Sequence, residues 1–176
     1  MSRVRVCLAA SIDGFMAGEN NDLSWLPGPD VLGGDGGYGA FMAEVGCLLM
    51  GRRTLDVVAG FAGPWPYGDT PVVVATHRQL DLPAPSVHVA GGDITELVAK
   101  AKTLAGDKDV YLDGGELIRQ AHDAGLIDEV TVTLVPVILG RGQAVFAGAN
   151  VRQAMTLIRC EPLGGGVVQL VWQPSR

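Results

Sequence analysis

Short apolar runs that alternate with helix-like segments constrain the fold of this chain more than any other feature. Buried strands are predicted at residues 4–10, 47–50, 71–75, 87–90, 110–112 and 129–135, where the runs are short and mostly β-branched. Helices are predicted at residues 38–45, 53–61, 94–104 and 116–124, with Asp93 as an N-cap. The tail adds two strands, at 154–160 and 166–173, with no helix between them. This order predicts an α/β fold of three layers (αβα), with a mixed, mostly parallel sheet and an antiparallel C-terminal edge.

Composition narrows the class of protein. The 176 residues, 48% of them hydrophobic and 18% charged, suit one globular domain spanning residues 1–176. A net charge of −6 argues against nucleic acid as a partner, and no apolar run is long enough for a membrane span. Cys7, Cys47 and Cys160 have no disulfide or zinc spacing, so we expect buried, reduced thiols in a cytoplasmic protein.

Residues 11–37 form a long polar passage rich in Gly and Pro, with no helical or strand period. A loop of this length inside a compact domain is often a lid or a binding loop. Gly34 to Gly39 match the letters G-x-G-x-x-G, but they do not follow a strand as the dinucleotide fingerprint requires. We therefore predict a flexible loop there.

Three predicted strands end in groups that suit a phosphate. Asp113-Gly114-Gly115 leads into a helix that starts at Glu116 and Leu117, whose first amides have no partner within the helix. The other two strand ends are Gly51-Arg52-Arg53-Thr54 and Thr76-His77-Arg78, which offer guanidinium and hydroxyl donors. Each could be an ordinary strand-to-helix turn. Together they predict a ligand with several phosphates, such as a phosphorylated dinucleotide.

Several motifs, in this order, carry a family resemblance. They are Ala10-Ser11-Ile12-Asp13-Gly14, Met50 to Thr54, Trp65-Pro66-Tyr67-Gly68, Asp113 to Gly115, and Asp128-Glu129-Val130 leading to residues 136–142 and Phe146. The chain resembles the dihydrofolate-reductase-like family, in the branch of the reductase domain of the bifunctional riboflavin-biosynthesis deaminase-reductase. The resemblance implies a mixed sheet flanked by helices, a homodimer, and reduction of a small heterocycle with NADPH.

Residue roles follow from the resemblance by position. The cofactor-binding residues would be Ala10, Gly51, Arg52, Arg53, Thr54, Thr76, His77, Arg78, Asp113, Gly114, Gly115, Glu116 and Leu117. Thr76, His77 and Arg78 lie where this family recognises the adenosine 2′-phosphate, which favours NADPH over NADH.

The same resemblance places Asp13 beside the substrate as the candidate catalytic acid, although Asp13-Gly14 is also ordinary turn chemistry. Trp25-Leu26-Pro27 resembles the stretch that precedes the pterin-binding carboxylate of true dihydrofolate reductases. Trp25, Asp30 and Asp35 are therefore further substrate candidates, although neither carboxylate has the family's spacing.

Alternatives remain open at this point. The substrate could be ribosylaminopyrimidine-like or pterin-like; a true dihydrofolate reductase and an NADP-binding sensor without turnover also fit. His77, His88 and His122 are scattered and form no zinc motif, so we expect no metal and no deaminase half.

Overall fold

A computed structural model describes residues 2–78 and 80–175 and has one large mixed sheet. In chain order the strands are β1 (Val4–Ser11), β2 (Phe15–Ala17), β3 (Val45–Gly51), β4 (Val72–Ala75), β5 (Val87–Ala90), β6 (Asp109–Asp113), β7 (Glu129–Val135), β8 (Gln143–Ala144), β9 (Met155–Pro162) and β10 (Val168–Pro174). Eight of them form the sheet, in the order β5-β4-β3-β6-β1-β7-β10-β9. The first six in this order are parallel, and β10 and β9 add an antiparallel edge. The predicted fold class is confirmed.

Helices cover both faces of the sheet. They are α1 (Pro29–Leu32), α2 (Tyr38–Glu44), α3 (Arg52–Ala59), α4 (Ile94–Ala105) and α5 (Gly115–Asp123). On the first face, α4 and α5 pack their apolar residues, among them Leu97 and Ile118, on β1, β3 and β6. On the second face, Phe41 of α2 and Leu55 of α3 pack on β3, β4 and β6. No helix in the described part of the chain is long and apolar enough to cross a membrane.

The start of α4 shows how local sequence sets an element's boundary. The Asp93 carboxylate accepts hydrogen bonds from the amides of Thr95 and Glu96, at 2.8 and 2.9 Å, and Glu96 accepts one from the Asp93 amide at 3.1 Å. This capping box satisfies amides that have no partner within the helix. The predicted N-cap is therefore present.

Two expectations from the sequence were wrong. The passage 11–37 is not a continuous loop, because it contains β2, a 3₁₀ turn at Glu19–Asn21 and α1. Strand β2 pairs with β8, more than a hundred residues further along, and local periodicity cannot show such a partner. Of the three cysteines expected to be buried, Cys47 is buried and Cys7 is half-buried. Cys160 is exposed, since it lies on the edge strand β9, where all eight residues are exposed.

Candidate functional site

The carboxyl ends of β3, β4, β5 and β6 lie at one edge of the sheet and border a cleft of about 650 Å³. All three strand ends that were predicted to bind phosphate contribute to this cleft, because neighbouring parallel strands end side by side. Of the predicted residues it is lined by Gly51, Arg52, Arg53, Thr54, Thr76, His77, Gly114, Gly115, Glu116 and Leu117. We call this space the strand-end cleft.

Two helices begin at the cleft without a side-chain cap. Helix α3 follows Gly51, and α5 follows Gly114, whose φ of +95° is accessible mainly to glycine. A Cβ on Gly114 would lie 2.7 Å from the Thr54 Oγ1 and 3.6 Å from the Gly51 amide nitrogen. The two turns therefore touch, and their first-turn amides form one region of backbone donors for an anion.

Side-chain charges at the cleft are partly paired with one another. The Arg52 Nε lies 2.9 Å from the Asp56 Oδ1, one turn along α3, whereas Arg53 is exposed. The Glu116 carboxylate contacts Arg119 and accepts a hydrogen bond from the Gln120 Nε2 at 2.9 Å. Arg53 and Thr54 line the cleft beside the two turns, and the Arg53 charge helps to lower the pKa of Glu116.

The outer end of the cleft contains residues that sequence reasoning missed. Gly91 and Gly92 follow β5, and a Cβ on Gly91 would lie 2.9 Å from the His77 Nδ1. The signal was available, because a strand ending in two glycines before a helix repeats the pattern at Asp113. Other lining residues outside the prediction are Ala75, Ala90, Leu97, Arg119, Gln120, Gln143 and Ala144.

Three predicted cofactor residues do not line the strand-end cleft. Ala10 is buried within β1, where it pairs with Leu134 of β7. Arg78 lies in an adjoining depression with His88 and Lys100. Asp113 is the last residue of β6, and the cleft begins at the residue after it.

A second large space, of about 820 Å³, lies on the second face of the sheet, and we call it the second-face cavity. Its floor is formed by alternate residues of β1, β7 and β10, including Thr131, Thr133 and Gln169. Its walls come from residues 26–37 and from α2, with Tyr38 and Phe41. The Tyr111 ring contributes from β6, packed edge-on against Phe41 with centroids 5.1 Å apart.

Asp113 lines neither space, although residues close to it in the chain line both. Its backbone continues into Gly114 in the cleft, while its side chain lies on the same face of β6 as Tyr111, two residues earlier. The residue as a whole is partly exposed, but its carboxyl group is enclosed, and burial raises its pKa to about 6. The amide of Gly114, 2.7 Å from the Asp113 Oδ1, opposes that rise, whereas the hydroxyl of Tyr111 donates to the Cys7 carbonyl at 2.9 Å.

Asp13, the predicted catalytic acid, is held by backbone amides. Its Oδ1 accepts a hydrogen bond from Leu139 at 3.1 Å and its Oδ2 accepts one from Gly140 at 2.7 Å. A hydrogen bond with Ser11, followed by these amides, lowers the pKa of Asp13. Asp13 thus fixes the segment after β7 as an ionised carboxylate and lines neither space.

The remaining substrate candidates fall into different places. Asp35 lines the second-face cavity, but its oxygens accept the amides of Gly39 and Gly37 at 2.7 and 2.8 Å, which lowers its pKa. Trp25 donates from Nε1 to the Asp22 carbonyl at 3.1 Å, and its neighbours Leu26 and Pro27 line the cavity instead. Asp30 is an exposed residue in the first turn of α1.

Known proteins resemble this chain over most of its length. Residues 2–169 match the model of the RibD C-terminal domain. The uncharacterized protein YyaP of Bacillus subtilis (strain 168) is 28% identical over 184 aligned residues, which cover 97% of this chain and 94% of YyaP. YwjB, another uncharacterized protein of the same strain, is 29% identical and covers 79% of both chains.

Solved structures give the same result. A Shewanella sp. PV-4 protein assigned to riboflavin biosynthesis is 30% identical, with a TM-score of 0.86 and complete coverage of both chains. RibD of Acinetobacter baumannii shares the fold at 20% identity and a TM-score of 0.73; the match covers 99% of this chain and 58% of RibD.

The deaminase/5-amino-6-(5-phosphoribosylamino)uracil reductase of Thermotoga maritima shares the fold at 17% identity and a TM-score of 0.72, and the match covers 99% of this chain and 57% of that protein. The resemblance inferred from the motifs is therefore confirmed: the chain belongs to the RibD C-terminal domain family of reductase-type proteins.

Proposed function

We propose that this protein is an NADPH-dependent reductase of a small heterocyclic substrate. The observation that carries the proposal is the convergence of four parallel strand ends and two uncapped helix starts on one cleft. The second face of the same sheet carries a further large cavity. The cleft would bind the cofactor and the second-face cavity the substrate. Membership of the RibD C-terminal domain family supports the assignment to the reductases.

The residues of the strand-end cleft fit a phosphorylated dinucleotide. First-turn amides of α3 and α5 would bind the pyrophosphate, with Arg53 and Thr54 beside them. Gly91 and Gly92 leave room for close approach at the outer end of the cleft, where His77 and Thr76 lie. The adjoining depression with Arg78 and Lys100 would attract a 2′-phosphate, which NADH lacks.

The bound cofactor would supply a hydride to an electrophilic carbon of a C=N or C=C bond, becoming oxidised as the substrate is reduced, and the adjacent atom of that bond then takes a proton. Asp113, which directly precedes the cleft residue Gly114, is the group that would hold this proton. Its raised pKa of about 6 keeps a fraction of the carboxyl protonated near neutral pH, whereas Asp13 is ionised. Tyr38 and Tyr111 line the second-face cavity, and burial, together with the nearby Asp113 charge, raises the pKa of both hydroxyls.

Fluorescence titration with NADPH and, separately, NADH at fixed moderate salt tests the proposal. We expect at least ten-fold tighter binding of NADPH, equivalent to about 1.4 kcal/mol. Arg53→Ala should weaken both cofactors, and Arg78→Ala should weaken only NADPH. Arg152→Ala, which removes a cation beside a different cavity, is the matched control.

Two results would contradict the proposal in different ways. If neither cofactor binds, the reductase assignment is wrong. If Arg53→Ala and Arg78→Ala together leave NADPH affinity unchanged, the phosphate sites are misassigned even though the protein binds the cofactor. Binding without turnover on pterin and aminopyrimidine panels would instead favour the sensor.

A further inference from the structure

The arginines of the second-face cavity all lie against carboxylates. The Arg3 Nη2 is 2.6 Å from the Asp109 Oδ2, and the Arg5 Nη2 is 2.7 Å from the Glu129 Oε1. Both guanidinium groups also contact Glu44. Arg159, at the opposite side of the cavity, lies 2.5 Å from the Glu161 Oε2 and donates to the Gln169 Oε1 at 2.9 Å. These cations are therefore already neutralised.

The inner pairs are also buried, which makes them difficult to separate. Arg5, Asp109 and Glu129 retain 9%, 7% and 6% of their exposure. A phosphate that took Arg5 from its partners would leave buried carboxylates without a countercharge, and such a loss is strongly unfavourable. An incoming phosphate thus cannot bind this arginine without disrupting the ion pairs that join β1 to its neighbours β6 and β7.

The net field of the cavity also opposes a phosphate. Three arginines face five carboxylates in this region, namely Asp35, Glu44, Asp109, Glu129 and Glu161. The floor between them is neutral and oriented by hydrogen bonds: the Gln169 Nε2 donates to the Gly36 carbonyl at 2.9 Å and to the Thr133 Oγ1 at 3.2 Å. Such a floor suits the donors and acceptors of an uncharged ring.

From this arrangement, and resting on the proposed function, we infer that the heterocycle bound in the second-face cavity carries no phosphate. The substrate class is a neutral or cationic free base or nucleoside. It differs in this respect from the phosphoribosyl compound in the name of the Thermotoga maritima relative.

A matched pair of ligands tests the inference. Calorimetry measures the binding of 5-amino-6-(5-phosphoribosylamino)uracil and of the same compound without its phosphate to the wild-type protein. We expect the unphosphorylated compound to bind at least ten-fold more tightly. Equal affinity, preference for the phosphorylated compound, or no binding of either one would overturn the inference.

A variant that should gain affinity tests whether the carboxylates paired with the arginines are what excludes a phosphate. Glu44 is exposed, with 57% of its side chain accessible, so Glu44→Gln should fold while removing one countercharge from Arg3 and Arg5. We expect it to raise the affinity for the phosphorylated compound several-fold relative to the affinity for the unphosphorylated one. Asp107→Asn, which neutralises an exposed carboxylate that lines neither space, should change neither. An unchanged affinity ratio in Glu44→Gln would show that carboxylate pairing does not exclude the phosphate.

NADPH titration of the same preparations separates this inference from the proposed function. If the protein binds NADPH but does not prefer either of the two compounds, the reductase proposal stands and the inference is wrong. If the protein prefers the unphosphorylated compound but does not bind NADPH, the inference stands and the reductase proposal is wrong.

Discussion

Gly114 and Thr54 are in direct contact across the strand-end cleft: the Thr54 Oγ1 lies 2.7 Å from the position that a Cβ on Gly114 would occupy. This contact joins the turn after β6 to the turn after β3. It requires glycine for two independent reasons, the space beside Thr54 and the φ of +95° at Gly114. Gly114 therefore serves two purposes: it lets the backbone approach a ligand in the cleft, and it lets the two turns pack against each other.

Gly114→Ala should lower both stability and cofactor affinity. We expect a loss of about 2–4 kcal/mol in the free energy of unfolding, because backbone strain and a short contact add together. Urea unfolding and NADPH titration measure the two effects. Gly63→Ala is the control, since Gly63 has a φ of +113° but no atom within 4 Å of the position that a Cβ would occupy there. If the two variants lose equal stability, the contact with Thr54 contributes nothing.

Asp113→Asn should be more favourable for stability, relative to wild type, at high pH than at low pH. A carboxyl whose pKa rises from 3.8 to about 6 on folding favours the folded state when protonated, so its contribution is fully present below pH 3.8 and is lost as pH rises through 6. We expect the stability of the variant, relative to wild type, to improve by about 2 kcal/mol between pH 4 and pH 8, at 1.36 kcal/mol per pKa unit. Urea unfolding at both values measures this. A difference that does not change with pH would contradict the buried, titrating carboxyl.

Asp13→Ala should loosen the segment after β7. The variant removes the acceptor of the Leu139 and Gly140 amides, so their hydrogen exchange should become faster while that of β3 stays unchanged. Because the pKa of Asp13 is lowered, the wild-type contacts should persist at neutral pH and weaken only in acid, below its ordinary value of 3.8. Unchanged exchange at Leu139 and Gly140 would show that Asp13 does not hold the segment, and would leave its predicted contact with substrate as its main role.

The edge strand β9 leads us to expect a homodimer. Leu157 and Ile158 are 51% and 53% exposed there, on a strand with one unpaired edge. Leu157→Asp should convert a dimeric mass to a monomeric one in light scattering. Val89→Asp alters an exposed apolar residue on β5, at the opposite edge of the sheet, and should leave the dimer intact. A monomeric wild-type protein would remove this expectation.

The sequence by itself determined the layer architecture and the strand-end cleft. Strand and helix periods are local properties, and so is the chemistry of a glycine turn before a helix. Parallel strand ends necessarily meet at one edge, so ten of the predicted residues line one cleft even though they come from separate motifs. The motif order also identified the family that the comparison confirmed.

Only the tertiary structure decided which polar groups already have hydrogen-bond or ion-pair partners within the protein. Asp13 binds amides 126 and 127 residues further along the chain, and Arg5 meets Asp109 and Glu129 across neighbouring strands. The burial of Asp113, the pairing of β2 with β8 and the exposure of Cys160 likewise depend on distant neighbours. A local pattern shows which groups can bind a ligand, whereas long-range packing sets their burial and their partners, and therefore their charge and availability.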